Sequence, residues 1–177
     1  MGFTKEEEEL LVAKVNDYVV YKRYGICQVE DIRYEKIMDE TKLYYVLQPL
    51  YENKSKVFLA VDAPAVKTQF HPVLTKEEID ATIDATEALD SKWIEDAKPR
   101  QIQFEAMLSS GDRVQVLWLV KVLSIYKEER EKEGKKFYAS DERILSKALK
   151  IITEEFAFVL NIKPDQVVPY ILKHIDE

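Results

Sequence analysis

The stretch that most constrains this chain is Ser140–Leu160, SDERILSKALKIITEEFAFVL. Ile144, Leu145, Ala148, Ile152, Phe156, Val159 and Leu160 recur at helical spacing and share one face. An apolar stripe this wide is stable in water only when other helices cover it. Ser140 is the expected N-cap, and Asp141 and Glu142 set negative charge beside the first-turn amides. Arg143, Lys147 and Lys150 form a basic stripe on the opposite face. Glu155 breaks the pattern by projecting into the apolar arc. It reads first as a structural carboxylate paired with an arginine from a neighbouring helix. A catalytic acid would need a partner group in a cleft, and the sequence nearby offers none.

The flanking segments supply the covering helices. Thr75-Lys76-Glu77-Glu78 is a capping-box pattern ahead of Ile79, Ile83 and Leu89. Arg100–Ser109 carries Ile102, Phe104, Met107 and Leu108. Gly111 suits the position just past that helix, and Asp112 suits the N-cap of the next, with Gln115 at N3; both are structural expectations. Val114–Tyr126 is apolar nearly all round, as the buried middle of a bundle would be. Glu128–Lys136 reads as a charged tail and loop around Gly134. Asn161–Pro164 ends the long helix, and Asp165–Ile175 adds a short last one.

Before Thr75 the hydrophobic period is two. Asp17–Tyr21, Ile26–Ile32, Lys42–Leu47 and Lys56–Val61 read as strands, with a switch of faces at Ile26 or Cys27. Lys22–Gly25 and Glu52–Ser55 read as turns. Short consecutive antiparallel strands suit a strongly bent sheet or partly open barrel. Residues 1–14 form an acidic arm or short helix, residues 15–74 a β domain and residues 75–177 a helical domain. Asp62–Leu74 is a connecting stretch. The fold class is α+β.

Composition excludes more than it assigns. No segment approaches a membrane span and no export signal is visible. The single Cys27 rules out an internal disulfide and fits a reducing cytoplasm; it reads as a small core residue. The net charge of −7 argues against wrapping nucleic acid in a general positive field. His71 and His174 stand far apart without other ligands at metal spacing, so neither a metal nor a cofactor is expected. With 4 glycines and no phosphate-cradle or nucleophile-elbow pattern, an enzyme is not indicated. Tyr18, Tyr21, Arg23, Tyr24 and Arg33 are candidates for a protein-binding edge. Trp93 reads as a packing residue ahead of a ligand anchor. The chain reads as a monomer.

Val15-Asn16-Asp17-Tyr18-Val19-Val20-Tyr21, then Tyr24-Gly25-Ile26-Cys27-Gln28-Val29 and Tyr44-Tyr45-Val46-Leu47, resemble the opening of the CarD/CdnL family of bacterial transcription regulators. Trp93, Ser110-Gly111-Asp112, Asp141-Glu142-Arg143 and Glu154–Leu160 follow in that family's order. The resemblance implies a Tudor-like antiparallel β-barrel that binds the RNA polymerase β subunit. It also implies an all-α bundle that touches promoter DNA at the upstream edge of the melted region and stabilises the open complex. The matched Trp93 would act as a minor-groove wedge, with Lys92, Lys98 and Arg100 as local phosphate contacts. Arg33 and Phe58 are the candidates for the polymerase contact, by their place after the first hairpin and in the last long strand. Lys22, Ala60 and His71 depart from the family pattern, as do Glu95 and Asp96 after the tryptophan. The alternative is an adaptor that docks on polymerase or another partner without touching DNA. The expected location is the cytoplasm, at the nucleoid.

Overall fold

A computed structural model describes residues 2–21, 24–51 and 55–177. Lys22 and Arg23 of the first expected turn, and Glu52, Asn53 and Lys54 of the second, lie outside the described residues. The chain divides into two compact units, Met1–Val73 and Leu74–Glu177.

The first unit begins with α1 (Lys5–Leu10), opened by a reciprocal capping box between Thr4 and Glu7. Four strands follow: β1 (Tyr18–Tyr21), β2 (Gly25–Ile37), β3 (Glu40–Pro49) and β4 (Val57–Ala60). Then come α2 (Pro64–Thr68) and β5 (Phe70–Pro72). The five strands form one antiparallel sheet in the order β4-β3-β2-β1-β5. The sheet is not closed, so the expected barrel is an open, curved sheet with β4 and β5 at its edges. The stretch 62–74, expected as a plain connection, instead holds a short helix and an edge strand. Pro64 starts α2 where its missing N–H does no harm, and Pro72 ends a strand that, among the described residues, pairs only with β1.

The switch of faces falls at neither Ile26 nor Cys27. The register slips between Val29 and Asp31, leaving Glu30 as an extra residue in a bulge. Cys27, Val29, Tyr45, Leu47, Leu59, Val61, Val66 and Phe70 make the core of this unit. Phe3 and Leu11 of the arm pack against that core, and the Val12 amide donates to the Tyr45 hydroxyl at 2.9 Å. The Tyr34 hydroxyl donates to Glu7.

The second unit holds α3 (Lys76–Glu87), α4 (Ala97–Ser109), α5 (Arg113–Lys132), α6 (Ala139–Leu160), a 3-10 turn at Pro164–Gln166 and α7 (Val167–Asp176). Thr75 and Glu78 form a capping box at α3. Asp112 accepts from the amides of Val114 and Gln115 at α5, and Gly111 takes φ 76 just before it. Asn161 ends α6 in the left-handed conformation. Two expectations need correcting. Ser140 is not the N-cap: α6 starts at Ala139, and the Ser140 hydroxyl accepts from the Gln101 amide at 2.8 Å. The charged run after Glu128 continues as helix to Lys132, because Glu, Lys and Arg are good helix formers when solvated. Ile79, Ile83, Phe104, Leu119, Leu123, Ile144, Ile152 and Phe156 form the core that covers the α6 stripe.

Candidate functional site

On the β unit, Arg33, Tyr44 and Phe58 come together across β2, β3 and β4. Arg33 pairs with Tyr44, and Phe58 pairs with Val46, two residues along β3, so all three side chains stand on one face. That face is opposite Cys27 and Tyr45. Tyr44 and Phe58 meet edge to face at 6.4 Å, and the Arg33 guanidinium lies 5.9 Å over the Phe58 ring. Phe58 is 40% exposed. Arg33 is fixed by its own strand, with Nε on Glu35 at 2.7 Å and Nη1 on Asp31 at 3.2 Å. Glu35 first and Asp31 second raise its pKa. The result is an apolar ring beside a guanidinium held by two carboxylates, a surface that suits protein. Tyr21 and Tyr24 do not join it. They stack on each other at 5.6 Å, and Tyr21 packs edge-on against Phe70 on the core side.

On the helical unit, Trp93 sits in the segment between α3 and α4. Its ring stacks on Tyr126 of α5 at 3.7 Å and 15°, and Arg100 lies over it at 4.6 Å. Two groups at such distances cannot share a face, so both faces of the indole are taken. Phe104 meets its edge at 5.9 Å. Its Nε1 is buried without an acceptor among the described residues. Arg100 is 1% exposed and is held by both carboxylate oxygens of Asp141, at 2.9 and 3.3 Å. It also donates to the carbonyls of Ile94 and Glu95. This corrects the expectation for Arg100: an arginine enclosed on α4 and spent on Asp141 and the Trp93 segment is out of reach of a phosphate. Lys92 and Lys98 are exposed, as are Glu95 and Asp96. The indole of Trp118, which no local sequence pattern singles out, donates to the Asp90 carbonyl at 2.8 Å and pins the other end of the segment.

Glu155 is 2% exposed, and Arg113 grips it through Nε at 2.9 Å and Nη2 at 3.0 Å. The same carboxylate accepts from the Leu74 amide at 3.1 Å, where the helical unit begins. Glu155 itself is thus engaged as a structural carboxylate. Cys27 is fully buried, and burial pushes its thiol up to about 12. His174 is satisfied by Asp84 at 2.9 Å. Among the described residues no cluster of three or more His, Cys, Asp or Glu could hold a metal ion. Among the described residues no helix is long and apolar enough to cross a membrane.

Residues 14–66 match the family model described as CarD-like/TRCF RID domain. The chain thus carries a CarD-like/TRCF RID domain. Its RID domain is an RNA polymerase-interacting domain, and it contains β1–β4 with the whole Arg33–Tyr44–Phe58 face. The α1 arm and the helical unit lie outside the matched residues. No curated protein matches the chain.

Proposed function

We propose that this chain is a CarD-like transcription regulator whose RID domain docks on the RNA polymerase β subunit and whose helical unit steadies the open promoter complex. The observation that carries the reading is the exposed Arg33–Phe58 pair on a domain of the polymerase-interacting family. Beside it, β4 pairs only with β3 among the described residues, so its outer edge is available for an added partner strand. Trp93, Lys92 and Lys98 are the residues for promoter contact. Polymerase docking would raise the local concentration of the helical unit at the promoter, so weak DNA contacts suffice. The test is capture of the full chain by the isolated polymerase β subunit. Phe58→Ala and Arg33→Ala should weaken capture without changing the melting temperature. Retention by both variants at wild-type strength would reject this face as the contact.

A second reading is favoured by the helical unit. With Arg100 enclosed, Trp93 covered on both faces and the unit net acidic, the protein would be an adaptor that binds polymerase alone. Salt-dependent protection of promoter DNA by the protein in the presence of polymerase separates the two.

A further inference from the structure

Met38 and Asp39 make the entire connection between β2 and β3, because Ile37 pairs directly with Glu40. Met38 has φ 57, whereas Asp39 is not among the residues with positive φ. Positive φ at the first central position alone is the type II′ pattern, which fits the twist of a hairpin and which glycine normally fills. A methionine there sets its Cβ against the backbone. Its side chain gains nothing locally in return, being 93% exposed. Ile37 beside it is 42% exposed. Backbone sterics disfavour this choice of residue, and an observed outlier of this kind points to a use beyond the local fold.

The tip continues the face described above. Arg33, Glu35 and Ile37 alternate onto one side of β2, and the Arg33–Glu35 contact at 2.7 Å shows the shared side. Lys42 and Glu40 pair with each other at 3.3 Å beside the tip, so its flank carries a balanced charge. The occupant that fits is therefore an apolar pocket of a protein, not a charged groove. The tip also lies within residues 14–66, the polymerase-interacting match.

We propose that Ile37 and Met38 form an apolar knob that enters a hydrophobic pocket on RNA polymerase and extends the Arg33–Phe58 contact along the hairpin. This rests on the polymerase-binding reading above. The test uses the full chain carrying Met38→Gly, with Met38→Asn as a second variant because asparagine also tolerates left-handed backbone. Binding to purified core polymerase and melting temperature are measured together. The expected result is a melting temperature equal to or above wild type, with binding weakened roughly tenfold, as for a buried anchor residue. Wild-type binding by both variants overturns the knob while leaving polymerase docking in place. Self-association of the wild-type chain in sedimentation that Met38→Gly abolishes, with polymerase binding unchanged, also overturns it by assigning the tip to a second copy. Failure of the wild-type chain to bind polymerase overturns the docking reading itself, and the knob with it.

Discussion

Trp93 lies flat on Tyr126, with ring centroids 3.7 Å apart. This contact ties the segment between α3 and α4 to the middle of α5. Arg100 closes the other face of the indole and fixes the carbonyls of Ile94 and Glu95. The tryptophan is thus built into the bundle, which its sequence neighbours alone do not reveal.

The buried pair below it gives the first prediction. Arg100 and Asp141 have side chains 2% and 0% exposed. Removing one partner strands the other charge, which costs about 3–5 kcal/mol. Arg100→Ala and Asp141→Ala are expected to lower the stability of the helical unit to a similar degree in denaturant titrations. The double change to Met and Leu should recover much of the loss. A stable Arg100→Ala protein with selectively weaker DNA contact would restore Arg100 as a phosphate ligand.

Glu155 should behave as a fastener. Glu155→Ala takes the carboxylate away from the largely buried Arg113 and frees the Leu74 amide, and is expected to destabilise by about 3 kcal/mol. Thermal melting is the direct check. A variant that melts like wild type yet loses transcriptional effect would point to recognition by Glu155 itself.

The readable parts of the fold were those set by local rules. Thr75 with Glu78, Asp112 after Gly111, and the two-residue alternation of β1 to β4 each carry their structure in a short window. Glu155 was readable because a lone carboxylate in an apolar stripe demands a partner, though only the fold could name Arg113. The unreadable parts depend on distant residues. β5 is only three residues long and exists by pairing with β1. Asp141 looked like a first-turn dipole group until Arg100 came to it from 41 residues away. The bulge at Glu30 leaves no signature, since burial of Ile26 and Cys27 on opposite faces blurs the alternation. Lys92, Lys98 and Arg100 look alike in sequence, and packing alone separates the enclosed one from the two exposed ones.

Cys27 sets a pH expectation. Its folded-state pKa is raised by burial from 9.0 to about 12. Below pH 9 the thiol is neutral in both states and contributes no pH dependence. Between pH 9 and 12 the unfolded chain loses the proton first, so stability should fall as pH rises through that window. At pH 8 the native thiol should resist iodoacetamide and become alkylated only in denaturant. Rapid native alkylation would mean that the core of the β unit opens at Cys27.

The last prediction concerns how Trp93 acts. Its ring is largely packed, so Trp93→Ala is expected to lower the stability of the helical unit by about 3 kcal/mol, the lower end for truncating a buried tryptophan. The wedge role that the resemblance implies therefore needs a matched control. Tyr126→Ala breaks the same stack while leaving the indole in place. If Trp93 contributes a wedge, open-complex lifetime should shorten more in Trp93→Ala than in Tyr126→Ala at equal fractions folded. An apolar ring is inserted most readily where base steps are already unstacked, which is the condition at the edge of a melted promoter. Lys92 and Lys98 would supply two phosphate contacts, so the salt dependence of the polymerase-assisted DNA contact should have a slope of about −1.8. Equal lifetimes in the two variants would make Trp93 a packing residue, and a slope near zero would favour the adaptor.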